Sequence, residues 1–413
     1  MATLSPATSP KIVKRKGSVR RPRNVDALET HNAGVNGIRN FLKGHTCYEA
    51  FPVSFRLIVL DTELNVKKAL QCLLLNGAFS SHILYDSIYQ LVLSGVVSAP
   101  LWNSSQSRFA GMLTVLDIIH LIQYYYRTTA SYEYATTDVE TFRLESLRGE
   151  SANAIPQYNA QSHSLREIEK ELGVATPPLL SDHPSSSLYD ACKVLMQTHA
   201  RRLPLLDYDT ETGHEVIVSV LTQYRMLKFI AINCHKEISQ LNQPLRKLRI
   251  GTYVASAPNE PKDGPNPYYP IATATLDTSV FNVVHMFSER AISAVPIIDD
   301  DGVVLNLYET VDVITLVKLG AYQSLDLKIR DALTQRSPDF PGVVVCTAGD
   351  SLGTLLQLIK IRRVHRLVVV EGEEEEKQGG KKGRLLGIIT LSDVLRYLIG
   401  DVDIPEVQEP PES

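Results

Sequence analysis

Apolar and polar positions along this chain fall into one pattern that recurs four times. Each copy begins with apolar residues at three- and four-residue steps, over 61–77, 185–200, 277–291 and 350–364. Leu188, Ala191, Leu195 and Met196 show the spacing, which lays one apolar stripe along a helix. These segments open on Asp61, Ser186, Asp277 and Asp350, whose side-chain oxygens suit an N-cap. A short apolar run follows: SAPLW at 98–102, RLPLLD at 202–207, AVPIID at 294–299 and RLVVVE at 366–371. Three of the four contain proline, which predicts a first strand position or a sheet edge. A second apolar run then meets a polar, T-x-x-D-like junction and continues with helical spacing, over 111–122, 218–230, 305–317 and 387–399. The repeat predicts four tandem βαβ-type modules of mixed α/β (α+β) class.

The repeats divide the chain into module 1 (35–130), a linker (131–178), module 2 (179–245), module 3 (246–325), module 4 (326–400) and an acidic tail (401–413). Residues 1–34 are rich in Ser, Pro, Lys and Arg near their start and are expected to be disordered. Order is expected from Val35, where Ile38, Phe41 and Leu42 space as a short amphipathic helix. The basic run at 11–23 surrounds Ser18 and has the composition of a nuclear-import signal or phosphorylation site, and equally of a solvated tail. Three stretches stand outside the pattern, at 78–95, 149–166 and 254–270, and deleting each restores continuity. They read either as loop insertions or as short in-frame introns carried into the translated sequence, which transcript sequencing distinguishes. Loops are cheap to extend, because closure entropy grows slowly with length. The first stretch, however, carries Ile83, Leu84, Ile88, Leu91 and Val92, which need burial, and is expected to perturb module 1.

Composition removes several function classes. The net charge of -4, from 42 basic and 46 acidic residues, argues against a nucleic-acid partner. The five cysteines are scattered without a C-x-x-C pair, so neither a zinc site nor a disulfide framework is expected, and free thiols suit a reducing compartment. No run of about 18 uncharged apolar residues exists, so no membrane insertion is expected. Kinase, P-loop, serine-hydrolase and metal-spaced histidine motif sets are all missing from the sequence, and the chain is not expected to be an enzyme.

The repeat resembles cystathionine-β-synthase (CBS) modules, which pair into Bateman domains. From about Val35 to Gly400 the chain is similar to the gamma regulatory subunits of the AMP-activated (sucrose-non-fermenting) protein kinases, in their fungal form. The carriers are VSAPLW with RFAGMLT, ARRLPLLD, VLTQYRMLKF, GIRNFLKGH, VHRLVVVE and GIITLSDVL. The resemblance implies two Bateman domains in a disc and a non-catalytic sensor with AMP, ADP and ATP as competing ligands. It further implies a catalytic alpha subunit and a scaffold beta subunit as partners, and a cytoplasmic and nuclear location. The alternative is a CBS-type nucleotide sensor or scaffold that is not associated with a kinase.

A strand-to-helix junction leaves backbone N–H groups free at the mouth of a cleft, which suits phosphate. A carboxylate one turn into the helix can accept hydrogen bonds from both hydroxyls of a ribose. Asp117 with Thr114, Asp312, and Asp393 with Thr390 and Ser392 are placed for this, and equally for capping their own helices. The resemblance implies the ribose role for all three aspartates. At the second junction Thr222 is followed by Arg225, which cannot accept from ribose. At the third, Glu309 replaces the usual Thr or Ser, and its acid is expected to crowd or repel a phosphate. The resemblance implies that Arg201, Arg202, His365 and Arg366 contact phosphates in a central channel, where Arg can act as a bidentate fork. Val97 and Tyr224 stand where animal relatives are basic. By the same resemblance Thr252 in IGTY and Ala272 in IATA belong to an adenosine site near the start of module 3, and Ile292 and Ser293 flank an adenine.

Overall fold

The computed structural model describes residues 24–51, 57–78, 98–128, 142–144, 165–173, 179–198, 200–255, 267–313, 326–336, 342–362, 364–377 and 379–400. The basic run at 11–23, the tail at 401–413, and most of the stretches 78–95 and 149–166 lie outside the described residues, as does the middle of 254–270.

Each of the four copies forms the same small sheet. In module 1, β1 (Leu60–Asp61) runs parallel to β2 (Ser98–Asn103), which forms an antiparallel hairpin with β3 (Arg108–Thr114). In module 2 the first strand shrinks to one parallel bridge, Asp182 with Leu205, beside the hairpin of β4 (Arg202–Tyr208) and β5 (Glu215–Thr222). Module 3 repeats this with the Ala274–Ile297 bridge beside β7 (Ala294–Ile298) and β8 (Val304–Glu309). In module 4, β9 (Val345–Thr347) is parallel to β10 (Arg366–Val370), which pairs with β11 (Leu385–Thr390). Every hairpin carries an irregularity at the equivalent place: after Leu101, Leu205, Ile297 and Val369. The recurrence of this bulge shows the four copies to be one design, since a bulge bends a strand in a defined way.

None of Pro100, Pro204 and Pro296 is a first strand residue: Pro100 lies in the middle strand of module 1, whereas Pro204 and Pro296 lie in two-stranded sheets whose outer side carries a single bridge. The Pro204 and Pro296 carbonyls accept from the N–H groups of Asp182 and Ala274. Each proline nitrogen thus faces a first strand that is one bridging residue long, and its missing N–H costs no ladder bond.

The helix caps also differ from expectation. Helices begin at Val66, Leu188, Val280 and Leu352, and the capping oxygens belong to Asn65, Ser187, Ser279 and Ser351. Asp61, Ser186, Asp277 and Asp350 lie one to four residues earlier. Asp61 accepts from the Glu63 N–H and Asp350 from the Thr347 N–H. Ser186 donates to Asp182, and Asp277 pairs with Lys328 and Arg330. The cap must be extended, and here it is the residue that bridges a distant segment. Asn65 pairs with Arg143, Ser187 with Thr46, Ser279 with Lys328 and Ser351 with Pro244. Ser351→Ala is expected to lower stability by about 1 kcal/mol, the usual cost of losing a cap. An unchanged unfolding midpoint would contradict the assignment.

Those bridges exchange segments between modules. The segment leading into module 1 (Thr46) covers module 2, and the one leading into module 2 (Arg143) covers module 1. Likewise Pro244, ahead of module 3, covers module 4, and Lys328, ahead of module 4, covers module 3. Strand β6 (Thr252–Tyr253) follows this rule: it precedes module 3 in the chain but adds to the β11 edge of the module 4 sheet. β6 thus follows the expected boundary at 246 in the chain while pairing in the module 4 sheet.

The pairs are further joined face to face. The Phe109 N–H donates to the Glu215 carboxylate between β3 and β5, at 2.8 Å. Tyr268, Ile271, Ile298, Leu307, Val368, Val370 and Leu385 form a small core between modules 3 and 4. There the two hairpin tips are also bonded, Val304 N to Gly383 O and Leu385 N to Gly302 O. Gly302 sits at positive φ, and a Cβ there would collide with the Tyr268 hydroxyl, so the tip requires glycine. Tyr268 is buried although it belongs to the stretch 254–270, so that end of the stretch is part of the core and not surplus.

Helices close the ring. One large core merges modules 1 and 3, where Val115–Thr128 packs on Val280–Glu289 and the Gln123 amide donates to Val284 O. A second merges modules 2 and 4, and Val35, Ile38 and Leu42 of the first helix join it. That helix spans Asn24–Gly44, so it starts eleven residues ahead of the expected Val35. Its Arg39 donates to Leu398 O in the last helical turn of the molecule. Leu188, Ala191, Leu195 and Met196, the stripe read from the sequence, are all buried. The four modules thus form a closed disc, with sheets facing within each pair and helices packed between pairs.

Candidate functional site

The register of the hairpins builds the site. The first residue of each middle strand lies opposite the last residue of the following strand: Ser98 opposite Thr114, Arg202 opposite Thr222, Ala294 opposite Glu309 and Arg366 opposite Thr390. In modules 2 and 4 a basic residue, Arg202 or Arg366, is thereby set beside a strand-to-helix junction. Val97, Arg201, Ser293 and His365 precede these positions and are equivalent to one another. Of these four, Val97 lies outside the described residues.

At two junctions the aspartate caps its own helix. The Thr114 N–H and hydroxyl both donate to Asp117 Oδ2, at 2.6 and 2.9 Å. The Thr390 N–H and hydroxyl make the same pair of bonds to Asp393 Oδ2, at 2.7 and 2.8 Å. This capping box uses one carboxylate oxygen and fixes the rotamer. Thr222 caps its helix by accepting from the Arg225 N–H, and the Arg225 guanidinium turns back to Val220 O. At Asp393 the Thr390 bonds hold only Oδ2, so capping and ligand binding are compatible readings of that carboxylate.

The third junction is built differently. Asp312 Oδ2 accepts from the Glu309 N–H at 2.7 Å. Both its oxygens are also taken by Arg336, a residue beyond the reach of the repeat pattern. The same guanidinium donates to Asn306 Oδ1 at 2.9 Å and to Leu307 O at 2.7 Å. The side chains of Arg336 and Asp312 are only 10% and 12% exposed. The ribose acceptor expected at Asp312 is thus already engaged by an internal cation. Nothing in the spacing of ALTQRS marked Arg336 in advance, because its partner is 24 residues away.

Charged residues of modules 3 and 4 meet beside the third and fourth junctions. Arg201 of module 2 and Arg366 of module 4 feel each other's charge. Desolvation by neighbouring protein atoms, and then this like charge, lower the Arg201 pKa, but Arg201 keeps an exposed surface and stays protonated at neutral pH. Among the described residues no acid is recorded as paired with Arg201. Arg366 donates to Ser293 O at 2.8 Å and pairs with the Glu309 carboxylate at 3.2 Å. Burial raises the Glu309 pKa more than the adjacent Arg366 lowers it. Residues of modules 2, 3 and 4 therefore meet at one place.

The other expected residues are distributed around this centre. Ser392 donates to the Gln223 side chain at 3.0 Å, so it ties module 4 to module 2. The His365 ring lies 6.1 Å from the Tyr224 ring. Arg202 starts β4, opposite Thr222. Thr252 is exposed on β6 in the module 4 sheet, opposite Ile388. Ala272 is buried in the core of modules 1 and 3, and Ile292 packs against that core. Thr252 and Ala272 therefore belong to different modules.

A family model for the CBS domain matches residues 267–317 and 339–400, the third and fourth modules. The solved structure of protein MJ1225 from Methanocaldococcus jannaschii superposes with a TM-score of 0.51 at 14% identity. It covers 86% of this chain and 99% of that one, and so shares the fold. The chain is 37% identical over 396 residues to the 5'-AMP-activated protein kinase subunit gamma of Kluyveromyces lactis, covering 95% of this chain and 98% of that protein. It is 39% identical over 365 residues to the subunit of the same name from Saccharomyces cerevisiae, covering 88% and 93%. Four equivalent modules in a disc, and these two full-length likenesses, make the chain a member of the gamma-subunit family of 5'-AMP-activated protein kinase.

Proposed function

We propose that the chain is the non-catalytic regulatory subunit of a heterotrimeric Ser/Thr protein kinase and binds AMP, ADP and ATP in competition at the junction clefts. The catalytic alpha subunit and the scaffold beta subunit are its partners. The observation that supports this most is the Arg366 guanidinium at the start of β10, set opposite Thr390 of the fourth junction and reaching Ser293 O and the Glu309 carboxylate of module 3. A guanidinium so placed can take a phosphate through charge-assisted hydrogen bonds. In this reading Asp117 and Asp393 hold ribose, Thr252 lies by an adenosine, and Ser293 and Ile292 lie by an adenine. Arg202 and His365 add positive charge beside the phosphates. Nucleotide occupancy regulates the kinase only if the bound and empty discs differ in affinity for its active form.

Thermal unfolding of the full chain with each nucleotide tests the reading. A ligand of the native state at 100 times its dissociation constant stabilises by about 2.7 kcal/mol. A rise in midpoint with adenine nucleotides, and none with matched sodium phosphate, is expected. No shift with AMP, ADP or ATP at millimolar concentration would refute nucleotide binding and leave a scaffold.

A further inference from the structure

The Glu309–Arg366 ion pair carries an inference that rests on the nucleotide reading above and sharpens it. The junction residue is threonine in three modules, Thr114, Thr222 and Thr390, and each Thr side chain folds back onto its own helix start. Glu309 cannot make that short-range cap. Its N–H still goes to Asp312, but its carboxylate leaves the module and reaches the guanidinium of Arg366 at 3.2 Å. Both side chains are largely buried, at 20% and 13% exposure, so the pair is poorly screened by solvent.

We propose that Glu309 is a specificity-determining residue: its carboxylate occupies the phosphate-binding face of Arg366, and a nucleotide must displace it. The chemistry follows from the placement. With Glu309 in place, the Arg366 guanidinium already has an anionic partner. A phosphate arriving at Arg366 takes that partner's position. The displaced carboxylate is tethered to the end of β8 and stays within a few ångströms, inside the Debye length of about 8 Å at physiological salt. Like charges so placed oppose binding, and the opposition grows with ligand charge. A triphosphate therefore loses more than a monophosphate. Glu309 biases the centre of the disc toward AMP and against ATP without touching base or ribose.

Calorimetric titration of the full chain with AMP and with ATP tests this in wild type, Glu309→Thr and Glu309→Gln. Glu309→Thr gives module 3 the junction residue of the other three modules, and Glu309→Gln keeps the shape while removing the charge. Both variants are expected to bind ATP about tenfold more tightly than wild type and to gain distinctly less for AMP. Both should also unfold earlier without ligand, because Arg366 then loses its largely buried counter-ion. If both variants fold cooperatively and bind both nucleotides with wild-type affinity, the competitor role is wrong. Equal gains for AMP and ATP, or losses for both, would also overturn it, the latter by showing that Glu309 positions Arg366 for binding. If no adenine nucleotide binds to wild type or to either variant, the nucleotide reading fails and takes this inference with it.

Discussion

Asp393→Ala is expected to weaken adenine-nucleotide binding about 10- to 100-fold, whereas Arg225→Ala is expected to change it less than about threefold. The first figure corresponds to losing two hydrogen bonds from ribose hydroxyls to a charged acceptor, partly offset by water entering the gap. Arg225 stands at the equivalent place in module 2 but offers only donors, and its guanidinium is turned back toward Val220 O. Asp393 has a second role, since Oδ2 accepts from the Thr390 N–H and hydroxyl. The variant therefore also loses a capping partner, worth about 1 kcal/mol. The two roles separate by measurement. A purely structural Asp393 would lower the unfolding midpoint and leave the dissociation constant alone. Titration of both variants with AMP decides between them, and equal losses for Asp393→Ala and Arg225→Ala would count against the site.

Arg336→Met is expected to destabilise the protein by about 3–5 kcal/mol. Removing one member of a buried ion pair leaves the other charge without its partner in a poorly solvated place. Asp312 would keep only the Glu309 N–H, and the Asn306 side chain and Leu307 carbonyl would each lose a donor. The double variant Asp312→Asn with Arg336→Met is expected to recover a large part of the loss, because no charge then remains buried. Denaturant midpoints of the two single variants and the double variant form the cycle that isolates the pair. Additive losses would show that the ion pair contributes little beyond the separate contacts of its members.

Much of this architecture was legible in the residues because it is local. Helical stripes, short apolar strands and polar junctions recur within about 60 residues, and hydrophobic periodicity reports such elements directly. The four modules, the basic pairs and the junction aspartates all came from that repeat. What escaped was set by distance. Asp61, Ser186, Asp277 and Asp350 suit caps by sequence because each offers a side-chain oxygen at the start of an apolar stripe. The choice among neighbours is made by Arg143, Thr46, Lys328 and Pro244, which no local window contains. The prolines of the short apolar runs point to a first strand position or an edge, because a short first strand leaves no trace in hydropathy. Arg336 was invisible for the same reason as the caps. Glu309 was recognised as an oddity of the repeat, but its partner Arg366 lies in the next module.

The exchange of segments between paired modules bears on how the chain is made. During synthesis the N-terminal part emerges first, and domains usually fold as they appear. Here module 1 must wait for Arg143 and module 3 for Lys328, each in the segment leading into the next copy, while Thr46 waits for Ser187 and Pro244 for Ser351. The first helix waits longest, since His31 and Arg39 bond to Tyr397 and Leu398 near the end of the last helix. The unit that the ribosome can release as complete is therefore the whole disc, and a nascent chain stalled after any module would expose apolar surface to chaperones.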